Sequence, residues 1–229
     1  MDRKRFFNSI RPKVNLTTGN VMGIGKVLDY AEAQGTPRAN LAYMLATAWW
    51  ETAQTMQPVK EAYWLGEDWR KKNLRYYPWY GRGLIQTTWE ANYARMGKEI
   101  GVDLTAAPDL LLEWPYALPA LFIGMEKGLY TGKSLDDYID NIDESDAEDM
   151  REFVAARRVV NGTDKAEAIG KLAMAFREAL LAARYRAVAV PVPPVIPRPP
   201  VPPATPPVVP PVGRWQWLTD IFNAIFGRK

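Results

Sequence analysis

Apolar residues recur at helical spacing along most of the chain, and this pattern predicts a mainly α-helical domain. Residues 1–35 are expected to be helical, with a break at residues 17–20 and a stop at Gly35. The next helix is predicted to open with Thr36 as its N-cap. Pro37 then occupies the first helical position, where its missing N–H costs nothing.

Leu41, Met44 and Ala48 mark the inward face of this helix because they lie at helical spacing. Glu51 follows three residues after Ala48 and therefore falls on the same apolar stripe. A glutamate near a helix end is more often a solvated surface residue. On an apolar stripe, however, burial disfavours the charged form, so we expect a raised pKa for Glu51. A carboxyl of this kind suits a general acid.

Three more helices are predicted downstream. One lies within residues 109–128, and a second covers residues 152–160 and ends at Asn161 and Gly162. A third opens at a capping box formed by Asp164 and Glu167 and continues to about Arg186. The first of these has an apolar face made of Leu118, Leu121, Phe122 and Met125. The acidic residues 134–149 between them predict a solvated connection, since no glycine marks the sharp turn of a calcium loop.

Residues 80–92 read Tyr-Gly-Arg-Gly-Leu-Ile-Gln-Thr-Thr-Trp-Glu-Ala-Asn. The two glycines around the arginine suit a bend or a close approach to a ligand, and a short extended run over residues 84–88 is expected to follow. Thr87 and Glu90 have the spacing of a capping box, so a helix is predicted to start there. Gln86, Thr88 and Asn92 then point into one space beside an arginine, which suits holding a sugar or a water. The alternative interpretation is an ordinary turn and helix start.

The composition restricts the chemistry that the chain can perform. Its 229 residues, 48% of them hydrophobic, are enough to bury one sizeable core. The chain has no cysteine and no histidine, which excludes a Ser-His-Asp triad, a Cys-His pair and the usual zinc centres. Acid–base chemistry near neutral pH therefore falls first to carboxylates, with lysine and tyrosine as the less favoured alternatives. Nine tryptophans and eleven tyrosines provide rings for a core and for stacking on sugars.

The composition changes sharply after residue 187, so we divide the chain into a domain over residues 1–187, a linker and a tail. Twelve of the nineteen prolines lie between Pro191 and Pro211, which predicts a semi-rigid linker over residues 188–212. Residues 213–229 have the pattern of a short amphipathic helix, suited to a membrane or outer-membrane lipid surface or to a partner. The net charge of +3 lies after residue 186, in the linker and tail together, so the domain shows no sign of nucleic-acid binding. No signal peptide and no membrane-spanning stretch are evident.

Three motifs together resemble glycoside hydrolase family 19, which contains plant class I chitinases and many bacteriophage endolysins. The segment from Tyr80 to Asn92 is similar to the family's Tyr-Gly-Arg-Gly-x-Ile-Gln signature. Trp50-Glu51-Thr52 resembles the family's His-Glu-Thr motif, with a tryptophan in place of the histidine. Val160-Asn161-Gly162 resembles its Asn-Gly element. The resemblance implies a lysozyme-like helical fold with two lobes and little sheet.

The family also implies roles for the residues that match its motifs. Glu51 is expected to be the catalytic acid and Glu61 the base, with Glu67 as the alternative base. Thr88 is expected to hold the attacking water. The residues expected to bind the sugar are Tyr80, Arg82, Gln86, Asn92 and Asn161. The mechanism is expected to be inverting, and no metal or organic cofactor is called for.

The spacing of the two glutamates resembles that of the phage members. Together with the absence of a signal peptide and of a cysteine-rich chitin-binding module, it favours peptidoglycan as the substrate. We therefore predict a phage endolysin, made in the host cytoplasm and passed to the cell wall at lysis. The alternatives are a chitinase and a non-catalytic wall-binding or virion structural protein.

Overall fold

The computed structural model describes residues 1–142 and 145–187. The predicted linker and the predicted amphipathic tail lie outside these residues. Eight α-helices occur in the described part of the chain, with short 3-10 helices at Pro108–Leu112, Leu135–Asp137 and Ala156–Val159. The α-helices are α1 (Arg3–Ile10), α2 (Thr18–Gln34), α3 (Arg38–Glu51), α4 (Glu67–Asn73), α5 (Glu90–Ile100), α6 (Trp114–Glu126), α7 (Asp146–Ala155) and α8 (Ala166–Ala182). The strands are β1 (Val59–Lys60) and β2 (Arg82–Gly83).

Helix α3 runs through the centre of the largest hydrophobic core. Every residue from Asn40 to Trp49 is buried, so the apolar surface of α3 extends well beyond the stripe predicted from sequence. Helix α8 packs against α3, α7 and α1, and α6 covers another side of α3. We call α1, α2, α3, α6, α7 and α8 the helical body. The prediction of a mainly helical, lysozyme-like fold with little sheet is confirmed.

Residues 57–112 form a second part with smaller hydrophobic clusters, which we call the hairpin region. It contains α4, α5 and the antiparallel pair of β1 and β2, in which Val59 lies opposite Gly83 and Lys60 opposite Arg82. One cluster is centred on Tyr93 and Met96, and the other on three side chains packed against Trp69 and Trp89. These three are Leu74, Tyr76 and Tyr80.

Three predicted helix caps are wrong, although each helix begins close to the predicted position. The cap of α3 is Pro37 rather than Thr36, and no side chain caps it. Helix α5 is capped by Trp89, so Thr87 and Glu90 form no capping box. Helix α8 is preceded by Lys165 in a left-handed conformation, with no side-chain cap from Asp164. Before α5 and α8 the backbone turns at a residue with positive φ, 71° at Trp89 and 58° at Lys165, which leaves the predicted capping side chain out of position.

Two other local predictions also need correction. The expected extended run over residues 84–88 is a tight turn, which brings the Arg82 and Thr87 backbones together through hydrogen bonds of 3.2 and 3.0 Å. The acidic stretch is only partly a connection, because Ser145 and Glu148 form a capping box that opens α7. Within residues 1–142 and 145–187, no helix is both long and apolar enough to cross a bilayer.

Candidate active site

Glu51 is the last residue of α3 and lies at the edge of the buried core. Its side chain is 9% exposed, and its Oε1 accepts a hydrogen bond of 2.7 Å from Arg157 Nη1. The helix ends here because the Thr52 hydroxyl donates to the Ala48 carbonyl at 2.7 Å and accepts from the Met56 N–H at 3.0 Å. Glu51 therefore occupies a fixed position rather than a frayed helix end.

Arg157 is a site residue that was not predicted from the sequence. It lies in the 3-10 helix after α7, its side chain is buried, and its Nε donates to the Asp164 carbonyl at 3.0 Å. A buried carboxylate is stable only with such a partner, so Arg157 compensates the charge of Glu51. One sequence signal pointed to it, since Arg157 lies four residues after the buried Phe153 and thus on the inward side of that segment.

Asn161, a predicted sugar-binding residue, lies one turn after Arg157. Its N–H donates to the Arg157 carbonyl at 2.9 Å, and the residue is half-buried. The local turn therefore keeps Asn161 close to the arginine that faces Glu51. Trp50, which replaces the family's histidine, directly precedes Glu51 in the sequence and packs against the main core.

A tight turn leads from Glu51 to β1. Ala53, Gln54 and Met56 have left-handed backbones, with φ angles of 48°, 68° and 52°, which are unfavourable for residues with a Cβ. The turn lies directly on α2, where a Cβ added to Gly23 would come within 1.9 Å of the Met56 carbonyl oxygen. Glycine at position 23 is therefore what allows the turn to approach the helix.

Glu61 follows β1 and is 2% exposed. Its Oε1 accepts from the Tyr76 hydroxyl at 2.6 Å, and its Oε2 accepts from the Gly81 N–H at 2.7 Å. Burial raises the pKa of Glu61 to about 7 against the lowering effect of these two hydrogen bonds and of Arg70. The negative charge of Glu51 also raises this pKa, so the two carboxyl groups interact electrostatically.

Glu67, the alternative base, lies in a different environment. It starts α4 with about half of its side chain exposed, and its Oε2 accepts from Arg70 at 3.2 Å and from the Tyr80 hydroxyl at 3.1 Å. The charge of Glu51 affects the pKa of Glu61, and Glu61 is the more deeply buried of the two candidates. These observations favour Glu61 as the partner of Glu51.

Gly81 brings Gln86 and Glu61 together. A Cβ at position 81 would lie 2.7 Å from Gln86 Oε1 and 3.2 Å from Glu61 Oε2, so any side chain there would disturb both groups. Gln86 itself has a left-handed backbone with φ of 53°, and its Nε2 donates to the carbonyls of Val59 and Gly83 at 3.0 and 3.1 Å. Its amide N–H groups thus stabilise the hairpin, while its oxygen lies beside the carboxyl.

Tyr80 and Arg82 support the site from behind. The Tyr80 ring is buried, and the Arg82 guanidinium carbon lies 3.7 Å from its centroid. Arg82 donates to Asp109 Oδ1 at 2.6 Å and to the carbonyls of Pro78 and Tyr80 at 3.0 and 3.1 Å. In this structure both side chains hold the hairpin region together, and neither presents a free face to a sugar.

Thr88 and Asn92 lie immediately before α5 and in its first turn. Both are buried, and neither is hydrogen-bonded to Glu51 or Glu61 in the described structure. The Asn92 Oδ1 accepts from Arg95 instead. Thr88 precedes α5, so it does not share a helical face with Asn92.

The arrangement combines two interacting carboxyl groups in different environments. Glu51 is paired with the Arg157 guanidinium, whereas burial raises the pKa of Glu61 to about 7. Near neutral pH, Glu61 therefore exchanges readily between its protonated and ionised forms. One protonated and one ionised carboxyl group are what the hydrolysis of a glycosidic bond requires.

Residues 57–117 match the model of a family described as chitinase class I, within glycoside hydrolase family 19. Together with the structural likeness described next, this match indicates a glycoside hydrolase. The predicted resemblance to family 19 is thereby confirmed.

Among solved structures, the chain is similar to chitinase C from Streptomyces griseus HUT6037. The TM-score is 0.51 with 19% sequence identity, over 81% of this chain and 77% of the other. This likeness shows the shared fold. A comparison with curated proteins found no match.

Proposed function

We propose that this glycoside hydrolase is a phage endolysin that cleaves β-1,4 bonds of peptidoglycan by an inverting mechanism. The observation that supports the chemistry is the interacting pair of Glu51 and Glu61, one beside Arg157 and the other buried with a raised pKa. The spacing of the two glutamates along the chain, which resembles that of phage members of the family, supports the substrate.

In this mechanism Glu51 protonates the leaving oxygen and Glu61 removes a proton from the attacking water. Arg157 Nη1 donates to Glu51 Oε1 at 2.7 Å and holds the carboxyl group of the proposed acid in place. Thr88 holds the water beside Glu61. The residues that position the sugar are Gln86, Asn92 and Asn161, while Tyr80 and Arg82 keep the hairpin in place.

Digestion of purified peptidoglycan followed by mass spectrometry of the products tests this proposal. The wild-type chain is expected to release muropeptides whose reducing ends identify the cleaved bond, and proton NMR of the first products, before mutarotation, is expected to show inversion at the anomeric carbon. Glu51→Gln is expected to lower the rate at least 1,000-fold while the circular dichroism spectrum stays unchanged. An E51Q variant with wild-type activity would remove Glu51 from the reaction.

A chitinase is the second candidate, and the similarity to chitinase C from Streptomyces griseus favours it. Turnover of chitin oligomers, measured beside turnover of peptidoglycan with the same preparation, separates the two substrates. A chain that binds cell wall and hydrolyses neither substrate would instead be a wall-binding or virion structural protein, with Trp50 in place of the family's histidine as the first residue to examine.

The proposed biology places the protein in the host cytoplasm until lysis and then at the cell wall. The amphipathic residues 213–229 are proposed to contact membrane or outer-membrane lipid, with residues 188–212 as a spacer. Deletion of residues 188–229 is expected to reduce lysis of intact cells and to leave hydrolysis of purified wall unchanged. Equal losses in both assays would argue against a role for the tail in reaching the wall.

A further inference from the structure

The turn that follows Glu61 leaves two large aromatic side chains in solvent. Residues 62–65 form this turn, which is closed by a hydrogen bond of 2.8 Å from the Leu65 N–H to the Ala62 carbonyl. Tyr63 and Trp64 are 45% and 41% exposed, and their rings meet edge to face with centroids 5.0 Å apart. Flat rings of this kind pack well against the apolar faces of sugars. The pair therefore provides a stacking surface two residues from a buried carboxyl group of the site.

Helix α4 comes next in the chain, and its inner side is fixed to the same segment. Arg70 donates from Nε to the Glu61 carbonyl at 2.8 Å and from Nη2 to the Ala62 carbonyl at 3.1 Å. Leu74, one turn later, is buried. These contacts determine which side of α4 faces the protein, and they hold its outer side beside the turn with the two aromatic rings.

The outer side of α4 carries positive charge towards solvent. Lys71 and Lys72 are exposed, and so is Arg75, whose guanidinium lies 5.1 Å from the centroid of the Trp89 ring. Trp89 directly follows Thr88, so this cation lies near the other end of the candidate site. Glu67 is already paired with Arg70, which leaves Asp68 as the other acidic side chain of the helix.

We propose that these five exposed residues bind a glycan strand that carries peptide stems, with the cations paired to the stem carboxylates and the rings against the sugars. We call them the α4 surface: Tyr63, Trp64, Lys71, Lys72 and Arg75. A chitin chain is neutral, so it has no charge that could pair with the three exposed cations. Each stem peptide of peptidoglycan, in contrast, presents carboxylates. This inference rests on the proposed function. It adds the surface by which the enzyme would distinguish a glycan that carries peptide stems from one that does not.

The test compares the double variant K71E/K72E with wild type, using the full chain at low salt. The substrates are peptidoglycan, the same glycan strands stripped of stems by an amidase with the freed lactyl carboxylates blocked as amides, and chitin oligomers. The variant is expected to lose about ten-fold in rate on peptidoglycan, and less than two-fold on stripped strands or on any oligomer that wild type cleaves. The difference is expected to shrink at 0.5 M salt because exposed charges are screened.

K4E/R11E is the matched control. Lys4 and Arg11 are exposed residues of α1 and of its C-terminal end in the helical body, and their reversal changes the net charge by the same amount. An equal loss in this control, or an equal loss of K71E/K72E on stripped strands, would overturn the inference. No loss on peptidoglycan would overturn it as well.

A binding measurement separates this inference from the proposed catalysis. Sedimentation of E51Q with insoluble peptidoglycan requires no hydrolysis, and K71E/K72E in that background is expected to weaken binding about ten-fold. If wild type cleaves neither glycan but this binding loss occurs, the proposed function fails and the inferred surface remains. If cleavage occurs and the binding loss does not, the inferred surface fails alone.

Discussion

The two carboxyl groups of the site are held in opposite ways by the two parts of the molecule. Glu51 ends a helix that is buried in the helical body, and its charge is met by Arg157, which lies 106 residues away. Glu61 belongs to the hairpin region, where its partners Tyr76 and Gly81 lie only 15 and 20 residues away. The first carboxyl group therefore depends on long-range packing and the second on local hydrogen bonds.

This difference indicates how each half of the site responds to change. Loss of one partner in a buried ion pair leaves an uncompensated charge inside the core and destabilises the whole body. Loss of one of several local hydrogen bonds changes the properties of a group and leaves the fold intact. Substitutions on the two sides are thus expected to differ first in stability and only then in activity.

The largest effect is expected from Arg157→Met. It leaves the Glu51 carboxylate buried without its cation, which is expected to lower the free energy of unfolding by about 3 kcal/mol. Chemical denaturation at pH 7 measures this loss. Arg158→Met is the matched control, because Arg158 is exposed, and a change of less than about 0.5 kcal/mol is expected. The double variant E51Q/R157M is expected to recover part of the loss, and a double variant no more stable than R157M would contradict the ion-pair explanation.

The next effect concerns pH and belongs to Glu61. Its folded-state pKa of about 7 lies above that of an unfolded glutamate, so the folded protein holds this proton more tightly. The resulting stabilisation is complete below about pH 4.5 and is lost as the pH rises through about 7. At about 1.4 kcal/mol per pKa unit, the change is up to about 3 kcal/mol. The free energies of unfolding of wild type and Glu61→Gln are measured at pH 5, 6, 7 and 8. Because glutamine does not titrate, the stability of wild type relative to the variant is expected to fall as the pH rises over this range.

Glu67→Gln provides the control for that experiment, because it makes the same substitution at an exposed glutamate of the same region. It is expected to keep the wild-type dependence of stability on pH. If E61Q and E67Q both follow wild type, the buried carboxyl of Glu61 does not titrate near pH 7.

The smallest effect is expected from Tyr76→Phe. Loss of the hydroxyl that donates to Glu61 is expected to cost about 1 kcal/mol in stability and to move the pKa of Glu61 upward. If Glu61 acts as the base, the acidic limb of the rate–pH profile moves to higher pH. If it acts as the acid, the alkaline limb moves instead, which would reverse the proposed roles. Tyr77→Phe is the control, because the Tyr77 hydroxyl has no hydrogen-bond partner in the described structure.

Much of the helical body could be predicted because burial imposes a regular period on the sequence. The stop of α2 at Gly35 and the buried face of α6 follow directly from glycine chemistry and apolar spacing. The caps of α5 and α8 could not be predicted, because each depends on a residue with positive φ, Trp89 or Lys165, that a capping pattern of four residues does not describe. Local patterns therefore determined the existence of the helices better than their boundaries.

The candidate site was only partly predictable for a related reason. Glu51 and Glu61 were identified through motifs, whereas Arg157 and Tyr76 have no motif of their own and are brought to the carboxyl groups by the tertiary fold. Tyr80 and Arg82 do match a motif, yet they lie behind the site as supports. Sequence resemblance indicates which residues belong to the site. The structure is needed to distinguish residues that can contact a ligand from residues that support them.

The close contact between α2 and the turn at Met56 has a practical consequence for engineering. Replacing a glycine inside a helix by alanine is a standard way to gain up to about 1 kcal/mol of stability, and Gly23 and Gly25 both lie inside α2. At Gly25 nothing lies within 4 Å of the new methyl group, so the gain is available there. At Gly23 the same methyl group would push outward the loop that connects the two glutamates. A thermostability screen that replaces every helical glycine would therefore displace the catalytic carboxyl groups relative to each other.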